Sequence, residues 1–305
     1  MSLSKIINGD KVLLVIVMLL AIFSFLPVFS ASSNLSYGIG GSSPLVYLIK
    51  HFIILLFGFI LMITIQKIPF KNYRWISILL LPIGLFLLIY TASQGTMISG
   101  ANASRWINIP IIGVSFQSSS LASIILLTYV AHYLAKYDLK KIEFSKTVVP
   151  LWAPIFIYIF LILPSNFSTA ALLFLSIILT LFVSGYPFRH LFKIVAFLVV
   201  FFMFFLTIVK EHPDKFPNRV DTWVSRIENF KSAKNIDANY QIEKAKAAII
   251  NGGLFGVGVG KSVMKYKLPQ SSSDFIFAII VEEFGVIFGG LLIILYLLML
   301  FRVLV

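Results

Sequence analysis

The 305-residue sequence contains no cysteine, few charged residues and very few acids. The lack of cysteine excludes a disulfide framework, a Cys-ligated zinc and a thiol nucleophile. Its four histidines lie far apart in the sequence, so no metal site is predicted. Charged residues make up only 12% of the chain, whereas soluble domains carry about 25%. Because 59% of the residues are hydrophobic, we predict an all-α, polytopic transmembrane helical bundle.

The charges that are present are mostly positive, with 25 Lys and Arg residues against 12 Asp and Glu residues and a formal net charge of +13. Two explanations stay open: the usual excess of basic residues in cytoplasmic loops, and an anionic substrate. Nucleic acid is disfavoured as a partner because the sequence contains no soluble basic domain.

Eight apolar segments come close to the roughly 20 residues that a membrane-spanning helix needs. They cover residues 12–31, 45–65, 74–92, 116–136, 147–163, 166–184, 190–209 and 275–301. The short loops between them alternate between basic and uncharged, so the positive-inside rule predicts that the N-terminus and Arg302 are cytoplasmic. The polar interval 210–273 is then a large extracytoplasmic loop within a single transmembrane domain over 1–305.

Part of this polar loop is predicted to be helical. The stretch from Asp237 to Ile250 has apolar residues on one face, and we expect that face to rest on the membrane surface. The face consists of Ile242, Ala245, Ile249 and Ile250. A solvated basic loop near anionic lipid is the alternative.

A glycine-rich stretch, Gly252 to Ser262, raises the question of a phosphate-binding loop. A Walker A motif needs glycine five residues before its Gly-Lys pair, and Phe255 occupies that position. The G-x-G-x-x-G spacing fails as well, since Lys261 stands where the third glycine belongs. Two interpretations remain: a turn whose small residues allow close backbone approach, or direct phosphate contact.

Asp274 stands at the start of the last apolar segment, shortly after Lys261, Lys265 and Lys267. Clustered ammonium groups suit a leaving pyrophosphate and favour the ionised form of a nearby carboxylate. An ionised carboxylate at the lipid boundary is what a general base for a sugar hydroxyl requires. The alternative is a helix N-cap, a position that Asp fills well, and the two roles are compatible.

Glu282 and Glu283 follow about 12 Å deeper, at about 1.5 Å per residue of helix. A charge inside the bilayer costs on the order of 3 kcal/mol, so the pair needs partners or a wet cavity. Arg105 or a lysine of the loop can supply the partner. We favour a structural salt bridge over catalysis for these two residues.

Several motifs together resemble the signature of the SEDS family, the shape, elongation, division and sporulation proteins that include FtsW and RodA. They are the glycine stretch 252–260, Leu268-Pro269, Asp274-Phe275-Ile276-Phe277-Ala278-Ile279-Ile280 and Glu282-Glu283-Phe284-Gly285. Phe29-Ser30-Ala31-Ser32 is similar to the family's first-loop sequence, and Ala101-Asn102-Ala103-Ser104-Arg105-Trp106-Ile107 to its N-G-A-R-R-W-I element. The resemblance spans nearly the whole chain.

The resemblance implies a SEDS-type domain that polymerises lipid II at the outer face of the bacterial cytoplasmic membrane, as an inverting peptidoglycan glycosyltransferase. A class B penicillin-binding protein is the implied partner, a transpeptidase that crosslinks the strands. The family's essential aspartate falls on Asp274 and its loop glutamine on Gln241.

For the substrate, we expect contacts from basic residues and the loop glutamine, with or without a divalent cation such as Mg²⁺ or Mn²⁺. These residues are Arg105, Arg226, Gln241, Lys261 and Lys265. The sequence from Gly260 to Lys265 resembles the G-x-S-V-x-K of FtsW more than the G-x-x-T-Q of RodA. This favours septal synthesis in cell division over elongation.

The sequence departs from the family pattern in three places. The Q-P-S-E-x-x-K element appears as Gln117 to Ser123 without its two charges, the aspartate of P-D-L-G-T is Asn166, and the histidine before D-F-I-F is Ser272. The glutamate and lysine of the first element can form an ion pair, and losing both members of a pair is less damaging than losing one. The family usually has ten spans, whereas eight are predicted here, which is expected of a fragment or a truncated form.

Two other functions fit the residues. A transporter (flippase) of the lipid-linked precursor would explain the many spans and the intramembrane Glu282 and Glu283, although not a large external loop that carries the candidate base. A scaffold of the division machinery would leave catalysis to its partner.

Overall fold

A computed structural model of the chain describes residues 9–36, 43–94, 106–109, 114–137, 143–211, 236–268 and 271–304. In chain order, the elements are α1 (Lys11–Ser36), α2 (Pro44–Gln66), α3 (Phe70–Gln94), β1 (Trp106–Ile109), β2 (Val114–Gln117), α4 (Ser118–Lys136), α5 (Phe144–Thr147), a π-helical turn (Val148–Trp152), α6 (Ala153–Ile162), α7 (Phe167–Val183), α8 (Phe188–Glu211), α9 (Ile236–Gly252), α10 (Met264–Lys267) and α11 (Ile276–Leu304). Apolar segments fold as helices because a helix satisfies its own backbone polar groups, which lipid cannot do.

The elements fall into two compact units. One unit is formed by Met1–Ile68 together with Ala233–Val305, and the other by Pro69–Ser232. The first unit therefore contains α1, α2 and α9 to α11, and the second contains α3 to α8 with the two strands.

Six helices of the described residues are long and apolar enough to cross a membrane. They are Lys11–Ser32, Pro44–Gln66, Phe70–Ser93, Ser118–Lys136, Phe144–Ile162 and Ile276–Leu304. The two further predicted spans, 166–184 and 190–209, coincide with α7, a shorter apolar helix of 17 residues, and with α8. The predicted all-α, polytopic bundle is therefore confirmed.

The connection between α3 and α4 contains a β-hairpin that the sequence analysis does not predict. β1 pairs with β2 in antiparallel register, with Trp106 opposite Gln117 and Ile109 opposite Val114. Both strands carry aromatic or β-branched residues, which favour a pleated, half-buried backbone. Arg105, directly before β1, lies outside the described residues.

In the second unit, α3 and α6 meet at a buried tyrosine. The Tyr158 hydroxyl donates a hydrogen bond to the Leu81 carbonyl of α3. A Cβ at Gly84 would lie 2.5 Å from this hydroxyl, so glycine leaves the room that the tyrosine needs. The contact fixes α3 against the core of the unit.

α7 begins with an asparagine cap. Asn166 Oδ1 accepts a hydrogen bond from the Thr169 amide at 3.3 Å. Asparagine and aspartate are about equally good N-caps. The asparagine that replaces aspartate in the P-D-L-G-T element therefore keeps a capping function.

In the first unit, α1 and α11 run in opposite directions and are joined at both ends. Arg302, near the end of α11, pairs with Asp10, which precedes α1. At the other end, the Ser30 hydroxyl of α1 donates to the Glu283 carboxylate of α11. The two contacts fix the register of the helices. The pair of Asp10 and Arg302 agrees with the prediction that Arg302 and the N-terminus lie on the same side of the membrane.

The Asp10 carboxylate is held in its ionised form. Desolvation raises the pKa of this carboxyl, but hydrogen bonds from the amides of Val12 and Leu13 and the guanidinium of Arg302 outweigh it. The pKa of Asp10 consequently lies below its ordinary value.

Candidate active site

α11 is broken by a kink at Gly285, whose φ of 86° and ψ of 167° fall in a region that is essentially open to glycine alone. In an unbroken helix the carbonyls of Glu282 and Glu283 would accept hydrogen bonds from the amides of Val286 and Ile287. The kink separates these donors from these acceptors. All four backbone groups therefore need other partners.

The glycine segment, defined here as residues 252–261, supplies all four partners. Two of its amides donate to the freed carbonyls at 2.9 and 3.0 Å, and two of its carbonyls accept from the freed amides at 2.9 and 3.4 Å. The pairs are Val257 N to Glu282 O, Gly258 N to Glu283 O, Val286 N to Gly253 O and Ile287 N to Leu254 O. The segment thus replaces one turn of helical hydrogen bonding across the kink.

The exchange requires glycine because the two backbones nearly touch. A Cβ at Gly252 would lie 2.1 Å from a carbonyl oxygen of α11, and one at Gly256 would lie 2.2 Å from another. A Cβ at Gly285 would lie 2.2 Å from the Leu254 carbonyl oxygen. Close backbone approach, one of the two interpretations of this stretch, is therefore its structural role. The two amides used in the exchange are not available to cradle a phosphate.

Glu282 and Glu283 lie just before the kink and are buried, with exposed fractions of 1% and 2%. The Ser262 hydroxyl donates to the Glu282 carboxylate, which also accepts from the Met264 amide at 3.3 Å. The Ser30 hydroxyl donates to Glu283, and the Ser262 amide lies 3.4 Å from the same carboxylate. Hydroxyls from two distant parts of the chain thus hold the paired carboxylates.

Lys265 brings a compensating positive charge into this cluster. It is 2% exposed, and its Nζ donates to the Gly260 carbonyl at 2.8 Å and lies 3.5 Å from the Ser30 hydroxyl. Because Ser30 also bonds Glu283, one hydroxyl connects the ammonium to the carboxylate. We name these five residues the buried network: Ser30, Ser262, Lys265, Glu282 and Glu283.

The network corrects the role that the sequence analysis gives to Lys265. Lys265 is grouped there with Lys261 as a substrate contact, whereas its ammonium is buried within the unit and joined to Ser30. The predicted loop lysine that compensates the glutamates is this same residue. A buried ion needs such a partner because desolvation is costly.

Asp274 lies on the turn of residues 271–275 that leads into α11. Its side chain is exposed and makes no hydrogen bond within the described part of the chain, so a capping bond is absent there. The Ser271 hydroxyl donates to the Lys265 carbonyl at 2.9 Å, which attaches the turn to the buried network. The result is a free carboxylate on a fixed backbone.

The other predicted substrate contacts have different surroundings. Lys261 is exposed at the end of the glycine segment, and Gln241 is half-buried on α9. Arg105 and Arg226 lie outside the described residues. The structure thus brings Lys261, Lys265 and Asp274 into one unit with the glutamate pair.

The predicted helix over Asp237 to Ile250 is confirmed as α9. That its apolar face rests on the membrane surface stays a prediction, with which the exposure of its isoleucines is compatible. Ile242 and Ile250 are 47% and 77% exposed. The buried positions are Ala248 and Gly252, because a helix with small residues can approach the backbone of α11 most closely.

Ser30 and Ser262 are residues of the candidate site that the sequence reasoning does not predict. Both donate to a buried carboxylate. The available signal was the glutamate pair itself, since a buried charge must find hydrogen-bond donors. Ser30 also lies within the Phe29-Ser30-Ala31-Ser32 motif at the end of the first predicted span.

A comparison with protein families identifies the family of the chain. The model described as "Cell cycle protein", which covers FtsW, RodA and SpoVE, matches residues 10–305. The chain belongs to this family. It is a multi-pass membrane protein of the SEDS type, as the sequence motifs imply.

Curated relatives named "Probable peptidoglycan glycosyltransferase FtsW" match most of the chain. The protein of Marinomonas mediterranea is 29% identical over 90% of this chain and 66% of its own length. That of Wigglesworthia glossinidia brevipalpis is 29% identical over 98% and 75%, and that of Coxiella burnetii is 30% identical over 85% and 68%. The chain therefore spans about two thirds of the length of these relatives.

Solved structures share the fold. A chain of a peptidoglycan synthase complex aligns with a TM-score of 0.68 and 20% identity, over 97% of this chain and 77% of that one. RodA of Thermus thermophilus aligns with a TM-score of 0.59 and 21% identity, over 97% and 74%. At this identity the likeness establishes the architecture, and the chemistry has to be argued from the site.

Proposed function

We propose that the chain is a peptidoglycan glycosyltransferase that polymerises lipid II at the outer face of the cytoplasmic membrane. The observation that carries the proposal is the exposed Asp274 carboxylate, on a turn attached to the buried network. Membership of the family and the names of the curated relatives support the same activity. In this proposal the N-terminus is cytoplasmic, and the turn that carries Asp274 is extracytoplasmic.

Asp274 acts as the general base in a single displacement. Its carboxylate takes the proton from an acceptor sugar hydroxyl, whose oxygen forms a bond to the anomeric carbon of a second lipid-linked sugar. The bond from that carbon to the pyrophosphate oxygen breaks, and undecaprenyl pyrophosphate leaves with the electron pair. One base without a nucleophilic carboxylate gives inversion at the anomeric carbon.

The leaving pyrophosphate needs positive charge, and exposed Lys261, four residues before the turn's anchor at Lys265, supplies part of it. Arg105, Arg226 and Gln241 are the further proposed contacts. Lys265 serves this chemistry from within the buried network, as a positioning residue. A base held on a fixed turn loses little freedom on binding, which favours catalysis.

We propose a transpeptidase partner of the class B penicillin-binding protein type, and a role at the division septum. The solved synthase complex that coordinates polymerization and crosslinking supports such a partner. The FtsW names of the curated relatives support division over elongation.

The test is Asp274→Asn, assayed for glycan polymer formed from purified lipid II together with the transpeptidase partner. Loss of a general base costs about 10²- to 10⁴-fold in rate, and we expect polymer to fall by at least about 100-fold. Glu243→Gln removes an exposed carboxylate from α9 and should leave polymerisation unchanged. Full activity of Asp274→Asn at a normal membrane level would refute the assignment.

A transporter of lipid II remains the rival function, and Glu282 and Glu283 are the observation in its favour. Their carboxylates are fully engaged with serine hydroxyls and amides, which suits a structural cluster better than a transport path. Vesicles with labelled lipid II separate the two functions. A transporter scrambles the label between leaflets without joining sugars.

A further inference from the structure

The second unit contains a basic, aromatic groove that the proposed chemistry does not use. It lies between the start of α3 and the last turns of α4 and has a volume of about 590 Å³. We name it the α3–α4 groove. Its lining residues include Phe70, Lys71, Arg74, Trp75, Thr128 and His132.

The groove concentrates positive charge without any acid in its lining. Lys71 and Arg74 stand one turn apart at the beginning of α3, where the helix dipole is also positive. Basic residues at this end of a helix repel the dipole instead of compensating it. An anion bound in the groove would relieve that repulsion, and His132 adds a further hydrogen-bonding group.

The aromatic residues indicate where the groove lies relative to a membrane. The Arg74 guanidinium lies 5.3 Å from the centre of the Trp75 ring, which is 67% exposed. Trp side chains are enriched at the level of lipid headgroups. The start of α3 and the end of α4 also carry the basic residues that predict a cytoplasmic loop on either side.

An apolar stripe leads away from the groove along α3. Trp75, Leu79, Ile83 and Phe86 recur every three or four residues and so share one helix face. All four are exposed, Leu79 at 65% and Phe86 at 66%. A ligand that fits both parts has an anionic head and a hydrocarbon tail.

We propose that the α3–α4 groove binds the phosphodiester headgroup of an anionic phospholipid, with an acyl chain along the apolar stripe of α3. Basic pockets between membrane helices are suited to such headgroups. Lys71 and Arg74 neutralise the phosphate, and Trp75 lies at the boundary between head and tail. The proposal is independent of the glycosyl transfer.

The test uses the full chain, purified and delipidated in detergent. Its thermal unfolding is followed while dioleoylphosphatidylglycerol, dioleoylphosphatidylcholine or inorganic phosphate is added. A ligand that binds the folded state raises the unfolding midpoint by an amount that grows with the ratio of its free concentration to its dissociation constant. We expect phosphatidylglycerol to raise the midpoint and the other two additions to have little effect.

The double variant Lys71→Gln/Arg74→Gln is expected to weaken phosphatidylglycerol binding by about 25-fold, and Arg74→Gln alone by about fivefold. Lys71→Arg/Arg74→Lys keeps both charges and should retain binding. The matched control is Arg189→Gln/Lys193→Gln, which removes two positive charges from α8 outside the groove.

Three results would overturn the proposal. An equal loss in the α8 control would show general surface electrostatics, and an equal midpoint rise with inorganic phosphate would show a site for soluble anions. An equal midpoint rise with phosphatidylcholine would show that the groove does not discriminate an anionic headgroup from a zwitterionic one. The midpoint without added lipid verifies that each variant is folded, and it should be unchanged or slightly raised where the removed charges lie at the start of a helix.

Discussion

The substitution Gly285→Ala tests whether the exchange of backbone hydrogen bonds holds the candidate site together. Alanine would have to adopt φ 86° and ψ 167°, a region that costs on the order of 1–3 kcal/mol. Its Cβ would lie 2.2 Å from the Leu254 carbonyl oxygen, so the glycine segment must move. Losing the two hydrogen bonds accepted by Gly253 and Leu254 adds about 1 kcal/mol each. The sum is a loss of about 3–5 kcal/mol.

The measurement is the thermal unfolding midpoint of the purified protein in detergent. At about 2 °C for each kcal/mol in a chain of this size, Gly285→Ala should lower the midpoint by roughly 6–10 °C. Gly290→Ala is the matched control, since Gly290 lies in the same helix and a Cβ there meets nothing within 4 Å. It should be neutral or slightly stabilising, because alanine is the better helix former. A midpoint unchanged in Gly285→Ala, or lowered equally by Gly290→Ala, would refute the reasoning.

Three further predictions concern charges and a cap. Lys265→Met leaves buried carboxylates uncompensated and should lower the free energy of unfolding in denaturant by about 3–5 kcal/mol. Lys261→Met removes an exposed lysine and should change the denaturant midpoint little. Asn166→Ala should lower the free energy of unfolding by about 1 kcal/mol, and Asn166→Asp should change it almost not at all, because aspartate caps a helix as well as asparagine. Both are measured by the thermal unfolding midpoint. The pKa of Asp10 is lowered, so its contribution to stability is complete above about pH 4 and is lost as the pH falls through the lower native value. Arg302→Gln should reduce this pH dependence; an unchanged dependence contradicts the pairing.

Much of the architecture could be predicted because lipid imposes it. Six of the predicted apolar segments match helices of membrane-spanning length, since apolar runs have few other ways to satisfy their backbone. The short hairpin of β1 and β2 was missed, because two four-residue strands give too short a pattern to distinguish from a loop. The same limit applies to the four-residue helix α10.

The candidate site was predictable only in part. Asp274 and the glutamate pair stand out by their charge in an apolar sequence, but the hydroxyls that hold the glutamates do not. Ser30 is 253 residues from Glu283, and only tertiary structure brings them together. The face of α9 that packs within the protein could not be predicted for a related reason. Hydrophobic periodicity identifies large apolar residues, whereas α9 packs through Ala248 and Gly252, which are small.

The glycine segment is attached to α11 through main-chain atoms, so its exposed side chains can change during evolution without loss of the attachment. Leu254, Phe255 and Val259 point outward and are 62%, 82% and 47% exposed. Mutations at these positions leave the four backbone hydrogen bonds intact. Natural selection can therefore remodel this exposed surface while the kink in α11 and the buried Glu282 and Glu283 keep their positions.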